Sequence, residues 1–146
     1  MALLFLSPLH KATRQISLYM EARMQDLDVS PREGHVLSYL LSYAPAPVAE
    51  LARVFGLKSS TMTSMLDRLE KGLFIVRVSN PRDRRSYLVR LTRPGRRLAG
   101  RIQGIVEALE TELCRNVGRR ELQGFQAVMT AVERVTQITV RERREE

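Results

Sequence analysis

The side chains of this chain best suited to chemistry are arginines, and they are crowded. Residues 77–97 hold eight arginines and one aspartate, a net of +7 in a chain whose total is +8. At the heart of the stretch stands Arg82-Asp83-Arg84-Arg85. Guanidinium groups stay charged at physiological pH and offer forked donors, so a cluster of them attracts polyanions, phosphate backbones above all. The bland alternative is a solvated arginine-rich loop, but solubility alone would not gather the charge in one place. A second set is uncharged: Ser59, Ser60, Thr61, Thr63 and Ser64, with Lys58 before it and Arg68 after it. Small hydroxyl side chains permit close approach to base edges and donate to phosphate oxygens; the alternative is an ordinary solvated helix face. Other chemistries lack their parts. The chain has no phosphate-cradling glycine-rich loop and no metal-ligand spacing, and its two histidines, His10 and His35, accompany no nucleophile. No enzyme, cofactor or metal is expected.

Composition frames these residues. A chain of 146 residues with 44% apolar content is long enough for one globular domain with a real core, and its scarcity of aromatics leans helical. The apolar run Ala2 to Leu6 is too short for a membrane span or a signal peptide and follows no basic residues. A lone cysteine, Cys114, excludes an internal disulfide and suits a reducing compartment. The expectation is a cytoplasmic protein with no membrane partner. A sequence pI of about 10.5 favours non-specific attraction to DNA in any case.

The periodicity supplies the elements that must hold the two sets in place. A first amphipathic helix spans about Pro8 to Leu27, with Leu9, Ala12, Ile16, Tyr19, Met20 and Leu27 on its apolar side. Ser30-Pro31-Arg32-Glu33 is a capping box with proline at the first helical position. The helix it opens buries Leu37, Leu40, Leu41 and Ala44 and stops at Pro45 and Pro47. Val48, Leu51, Ala52 and Phe55 form one short helical stripe; Met62, Met65, Leu66 and Leu69 form the next. Gly56 separates them, and this pattern is that of a helix-turn-helix. It places the hydroxyl residues on the polar side of the second helix.

Phe74 to Ser79 and Ser86 to Thr92 are two β-prone runs around the polar turn Asn80 to Arg85. The fold class expected is mainly α with a small β-hairpin wing, a winged helix-turn-helix. The wing tip would reach a minor groove, where arginine senses a narrow, electronegative channel. Asp83 either pairs with Arg85 and sets its direction or is a plain turn aspartate. Thr92 caps a long helix striped by Leu98, Ile102, Ile105, Val106, Leu109, Leu113 and Val117, ended by Gly118. A last helix buries Leu122, Phe125, Val128, Met129, Val132 and Val135 before a charge-neutral tail, Arg141 to Glu146. So long a stripe most simply packs against a second copy of the chain, the alternative being a monomeric bundle. The organisation expected is one intertwined domain: residues 1–30 as an N-terminal dimerisation helix, 31–95 as the DNA-binding region and 96–146 as C-terminal dimerisation helices.

In this order of elements, Asp83-Arg84-Arg85-Ser86-Tyr87-Leu88-Val89-Arg90-Leu91-Thr92 fits the pattern D-x-R-S-x-x-V-x-L-T. The chain thereby resembles the MarR family of transcription regulators over nearly its whole length, and residues 56–70 resemble the family's recognition helix. The resemblance implies a homodimer on a pseudo-palindromic double-stranded DNA operator, with Arg85 in the flanking minor groove, and a repressor released by a small aromatic or phenolic effector. Such a ligand would sit between the dimerisation helices and the winged domain, involving the first, second and fifth helices, where His10, His35 and Tyr39 are the candidate lining. Each histidine also has the simpler reading of an exposed or core-satisfied residue. Redox-sensing members place their cysteine near the N-terminal helices, so Cys114 reads as structural. Two departures stand out. Ser59 and Ser64 occupy positions where members often carry arginine, which shifts readout toward Lys58, Ser60, Thr61, Thr63 and DNA shape. The usual exit Leu-Glu-x-x-Gly-Leu is here Leu69-Glu70-Lys71-Gly72-Leu73, with glycine one place early and a slightly altered helix end expected. The competing function is a winged-helix protein-interaction module with only non-specific DNA affinity.

Overall fold

The computed structural model of the protein describes residues 1–140. The expected tail, residues 141–146, lies outside the described residues. In chain order the elements are α1 (Leu6–Arg23), α2 (Pro31–Tyr43), β1 (Ala46–Pro47), α3 (Val48–Phe55), α4 (Ser59–Lys71), β2 (Ile75–Asn80), β3 (Asp83–Leu91), α5 (Arg93–Asn116) and α6 (Arg119–Thr136). The three strands form one antiparallel sheet in the order β1-β3-β2. This is a winged helix-turn-helix with a helix before it and two after it.

Local chemistry sets several boundaries of the winged region. The Ser30 hydroxyl accepts from the Glu33 amide at 3.2 Å, and the Glu33 carboxylate accepts from the Ser30 amide at 3.0 Å, the reciprocal capping box. Gly56 ends α3 at φ 62°, a left-handed conformation that glycine adopts without a Cβ penalty. The Thr92 hydroxyl accepts from the Gly95 amide at 3.1 Å to cap α5 and donates to the Leu73 carbonyl at 2.6 Å. Gly95 is needed there, because a Cβ would collide with the carbonyl of Phe74. These ties bring α5 against the base of the hairpin. Leu37 and Leu40 of α2, Leu51 of α3, Met62, Leu66 and Leu69 of α4, Ile75 of β2, Val89 of β3 and Ile102 of α5 close a single core.

Several boundaries differ from the sequence expectations. The first helix is Leu6–Arg23, not Pro8 to Leu27; only Met20 of its stripe is buried, because the helix meets the core with its last turns alone. Strand β3 begins at Asp83, so Asp83, Arg84 and Arg85 belong to the strand and only Pro81 and Arg82 make the turn. Strand β1 was not expected: an alanine between two prolines carries no periodicity, yet Ala46 is buried and pairs with Val89. At the exit of α4, Gly72 keeps a right-handed φ of −74° and Leu73 takes the left-handed turn at φ 63°. The early glycine thus leaves leucine in the position that favours glycine. The expected burial of α6 does not occur within one chain. Val128 and Met129 are half-buried, while Leu122, Phe125, Val132 and Val135 are exposed, as are Leu113 and Val117 at the end of α5.

Candidate nucleic-acid interface

Helix α4 is oriented by its apolar side. Met62, Met65, Leu66 and Leu69 are buried, and this turns Ser60, Thr63, Ser64 and Asp67 to the opposite side. Lys58, Ser59, Ser60, Thr61, Thr63 and Ser64 are all exposed. Arg68 has a second attachment: its Nε donates to Glu33 Oε1 at 2.7 Å, while Glu33 Oε2 accepts from the Ser30 amide. One nearly buried carboxylate therefore joins the start of α2 to α4. The Arg68 side chain is still 61% exposed, so its charge also faces solvent.

At the wing tip the pairing jumps from Ser79↔Tyr87 to Asn80↔Asp83, leaving Arg84, Arg85 and Ser86 as a bulge on β3. Three side chains make the bulge rigid. Asn80 Oδ1 accepts from the Arg82 amide at 3.0 Å, Asp83 Oδ1 accepts from the Arg85 amide at 3.0 Å, and the Ser86 hydroxyl donates to the Asp83 carbonyl at 3.1 Å. Asp83 thus orders Arg85 through its backbone. Among the described residues it makes no ion pair with the Arg85 guanidinium, so the plain turn aspartate is the reading that holds. A carboxylate reaches the amide two residues on with little entropy loss, whereas an exposed ion pair would have to order a long side chain. Arg82, Arg84 and Arg85 are exposed and without ion-pair partners among the described residues.

Counting charge along the sequence misplaced one arginine. Arg77 is half-buried, and its Nη2 lies 2.6 Å from both Asp67 Oδ1 and Glu70 Oε2. The hydrogen bond from Arg77 holds Glu70 below the usual carboxylate range against a smaller opposing effect of burial, and Glu70 in turn raises Arg77. Alternation places Arg77 on the same face of the hairpin as Ile75, toward α4, and that was the available signal.

The expected ligand lining comes together only in part. A cleft of about 650 Å³ lies between α1, the start of α2 and the α3–α4 turn, lined by Arg14, Ser17, Glu21, Arg32, His35 and Phe55 among others. Burial pushes the His35 imidazole below its ordinary pKa. Tyr39 does not line the cleft: its ring stacks on Tyr43 at 4.6 Å and meets Phe55 edge-on at 5.7 Å. His10 is exposed on α1 and does not line it either, and α5 contributes nothing. Arg14 and Arg32 were missed because nothing in their spacing separates a cleft arginine from a solvated one. Cys114 is exposed, 3.7 Å from a Glu110 carboxylate oxygen. Among the described residues no helix is long and apolar enough to cross a membrane, and no cluster of His, Cys, Asp or Glu could hold a metal.

Known proteins share this arrangement. The model of the MarR family matches residues 29–87, from just before α2 into β3. YfiV of Bacillus subtilis, described as an HTH-type transcriptional regulator, is 32% identical over 102 residues, covering 70% of this chain and 62% of that protein. The chain thus spans less than two thirds of that relative's length. Staphylococcus aureus MepR in complex with DNA superposes with a TM-score of 0.80 at 18% identity, over 94% of this chain and 100% of that one, a likeness of fold. A cysteine-to-serine mutant of Escherichia coli MarR with operator DNA gives 0.73 at 25% identity, over 86% and 91%.

Proposed function

We propose that the chain, whose residues 29–87 match the MarR family model, is a member of that family and regulates transcription as a homodimer that binds a two-fold-symmetric DNA operator, acting as a repressor. The observation that carries the reading is the wing tip, where Arg82 of the turn and Arg84 and Arg85 of the bulge are exposed and without ion-pair partners among the described residues, on a backbone tied by three side-chain hydrogen bonds. Arg85 enters the minor groove, flanked by Arg82 and Arg84 on phosphates. Lys58, Ser60, Thr61 and Thr63 face the major groove with Ser59 and Ser64, and Arg68 adds a phosphate contact. The exposed apolar residues of α1, α5 and α6 support the homodimer, and two-fold symmetry spaces the half-sites by about one helical turn. A small aromatic or phenolic effector in the cleft beside His35 and Phe55 releases the operator.

One observation favours a second reading, the protein-interaction module. Val76 and Val78 are exposed on the wing, where a docking surface would present aliphatic side chains. Fluorescence anisotropy separates the two. Wild type and Arg85→Ala are titrated onto the DNA upstream of the chain's own coding sequence, from about 50 to about 300 mM salt. The regulator reading expects nanomolar binding to a symmetric site, a log–log salt slope of roughly −6 to −9, and a loss of about tenfold or more with Arg85→Ala. Equal, weak affinity for unrelated DNA would leave only general charge attraction and favour the docking module.

A further inference from the structure

Arg77 is the arginine of the basic stretch whose charge is already answered, and two exposed carboxylates answer it. Asp67 and Glu70 stand one turn apart on α4, and Asp67 shares the polar side with Ser60, Thr63 and Ser64. Two carboxylates on a face that meets phosphate work against binding, since each repels the backbone it approaches. Their geometry shows a different use. Arg77 Nη2 donates to Glu70 Oε2 and lies 2.6 Å from Asp67 Oδ1 as an ion pair, its Nε donates to Glu70 Oε2 at 3.2 Å, and its backbone amide donates to Glu70 Oε1 at 3.4 Å. A guanidinium forked between two carboxylates is held in direction as well as distance.

What this fork joins is α4 to β2. Between them run only Gly72, Leu73 and Phe74, with Leu73 in the left-handed region. Strand β1 pairs with the hairpin opposite Arg77 and Val78, at Val89 and Leu88; beyond that level the hairpin extends to the tip without further ion pairs among the described residues, so a rotation at its base is carried outward to Arg85.

We infer that Arg77, forked between Asp67 and Glu70, is a positioning residue that sets how far the wing arginine reaches from the recognition helix. It thereby selects the spacing between the major-groove core of the operator and its flanking minor-groove segment. Arg77 touches no DNA; it acts through Arg85. The inference rests on the DNA-binding reading above.

The test uses the full chain and a two-fold-symmetric duplex recovered by selection from random-sequence DNA, together with versions in which the A·T-rich flanks are moved outward or inward by one base pair. Wild type should prefer the selected spacing by about tenfold. Asp67→Asn with Glu70→Gln opens the fork while adding two net positive charges. Positioning predicts weaker binding to the selected duplex and a flat response to spacing; tighter binding on every duplex would mean the carboxylates act only by charge and would overturn the inference. Arg77→Lys, which keeps the charge but loses the two-sided fork, runs beside it in case the double variant does not fold, and should flatten the response in the same way. A retained spacing preference would overturn the inference. In an Arg85→Ala background, opening the fork should cost nothing more, whereas an additive loss would place Arg77 on the DNA itself and overturn its indirect role. If Arg85→Ala alone binds every duplex like wild type, the failure lies in the minor-groove reading, and the inference falls with it.

Discussion

Leu51 of α3 and Phe125 of α6 are both large apolar side chains at helical spacing, yet the first is 0% exposed and the second 54%. The contrast extends to their regions. In the winged core, every described element except α6 contributes to one set of buried side chains, and caps, a tight turn and the Glu33–Arg68 pair satisfy polar groups around it. Along α5 the stripe is buried as far as Ile102, half-buried through Leu109 and exposed at Leu113 and Val117; α6 buries no residue fully. The core is complete within one chain. The arm exposes Leu113, Val117, Leu122, Phe125, Val132 and Val135 along its helices, and a second copy of the same face is the cover the proposed homodimer would supply. The same rule of periodicity therefore marks two things: a stripe that is buried within the chain and a stripe left exposed, on which the proposed homodimer rests.

Breaking the arm should produce the largest effect. Phe125→Asp places a charge on the exposed face without entering the core, so the variant should stay helical but sediment as a monomer. Losing the second half-site contact should lower operator affinity by about 10²- to 10⁴-fold, because the linked second binding event disappears. Analytical ultracentrifugation and anisotropy on the same samples measure both. A variant that still sediments as a dimer would show that α6 does not form the interface and that its exposed face has another use.

The legible part of the molecule was the part with local causes. The capping box at Ser30, the stop at Gly56, the two stripes of the helix-turn-helix and the Thr92 cap each depend on residues within a turn or two of one another, and each stands where its pattern put it. Strand β1 depends on Val89, more than forty positions away in sequence, and had no local sign. The tip arginines were legible as a cluster, but the bulge that displays them comes from a register jump that alternation does not encode. Arg77 looked like one more free charge until its two carboxylates, ten and seven positions earlier, folded against it. The cleft was hardest, since rings and guanidinium groups from three separate elements line it, and of His10, His35 and Tyr39, expected as its lining, only His35 takes part.

A smaller change sharpens the contrast from the side of the core. Leu73 holds a left-handed conformation with its side chain 71% exposed, so it bears backbone strain and receives little burial in return. Leu73→Gly relieves that strain, less the added freedom glycine gives the unfolded chain, for a net gain of about 0.5–1 kcal/mol. Because the site belongs to the self-contained core, the gain in a urea midpoint should be the same at every protein concentration. Changes in the arm should instead shift the midpoint in a concentration-dependent way. An unchanged or lowered midpoint for Leu73→Gly would mean that the exposed leucine is held by contacts outside the single chain.

The smallest expected effect is a titration. Glu70 is held below its ordinary pKa chiefly by the hydrogen bond from Arg77, with the charge of Asp67 pulling weakly the other way. The unfolded chain therefore takes up a proton at Glu70 before the folded chain does. Whatever stability the pair contributes is fully present above the ordinary carboxylate value of about 4.3, and it is lost as the pH falls through the lower, folded value. Carbon-detected NMR of the Glu70 carboxyl should place its midpoint below that of free glutamate, and Arg77→Met should return it to the ordinary range. The same midpoint is expected in the Phe125→Asp monomer, since every group that shifts Glu70 lies in the winged core. A midpoint that rises when the dimer is lost would mean that the partner subunit orders the fork, and the reach of the wing would then be a property of the pair of chains rather than of each one.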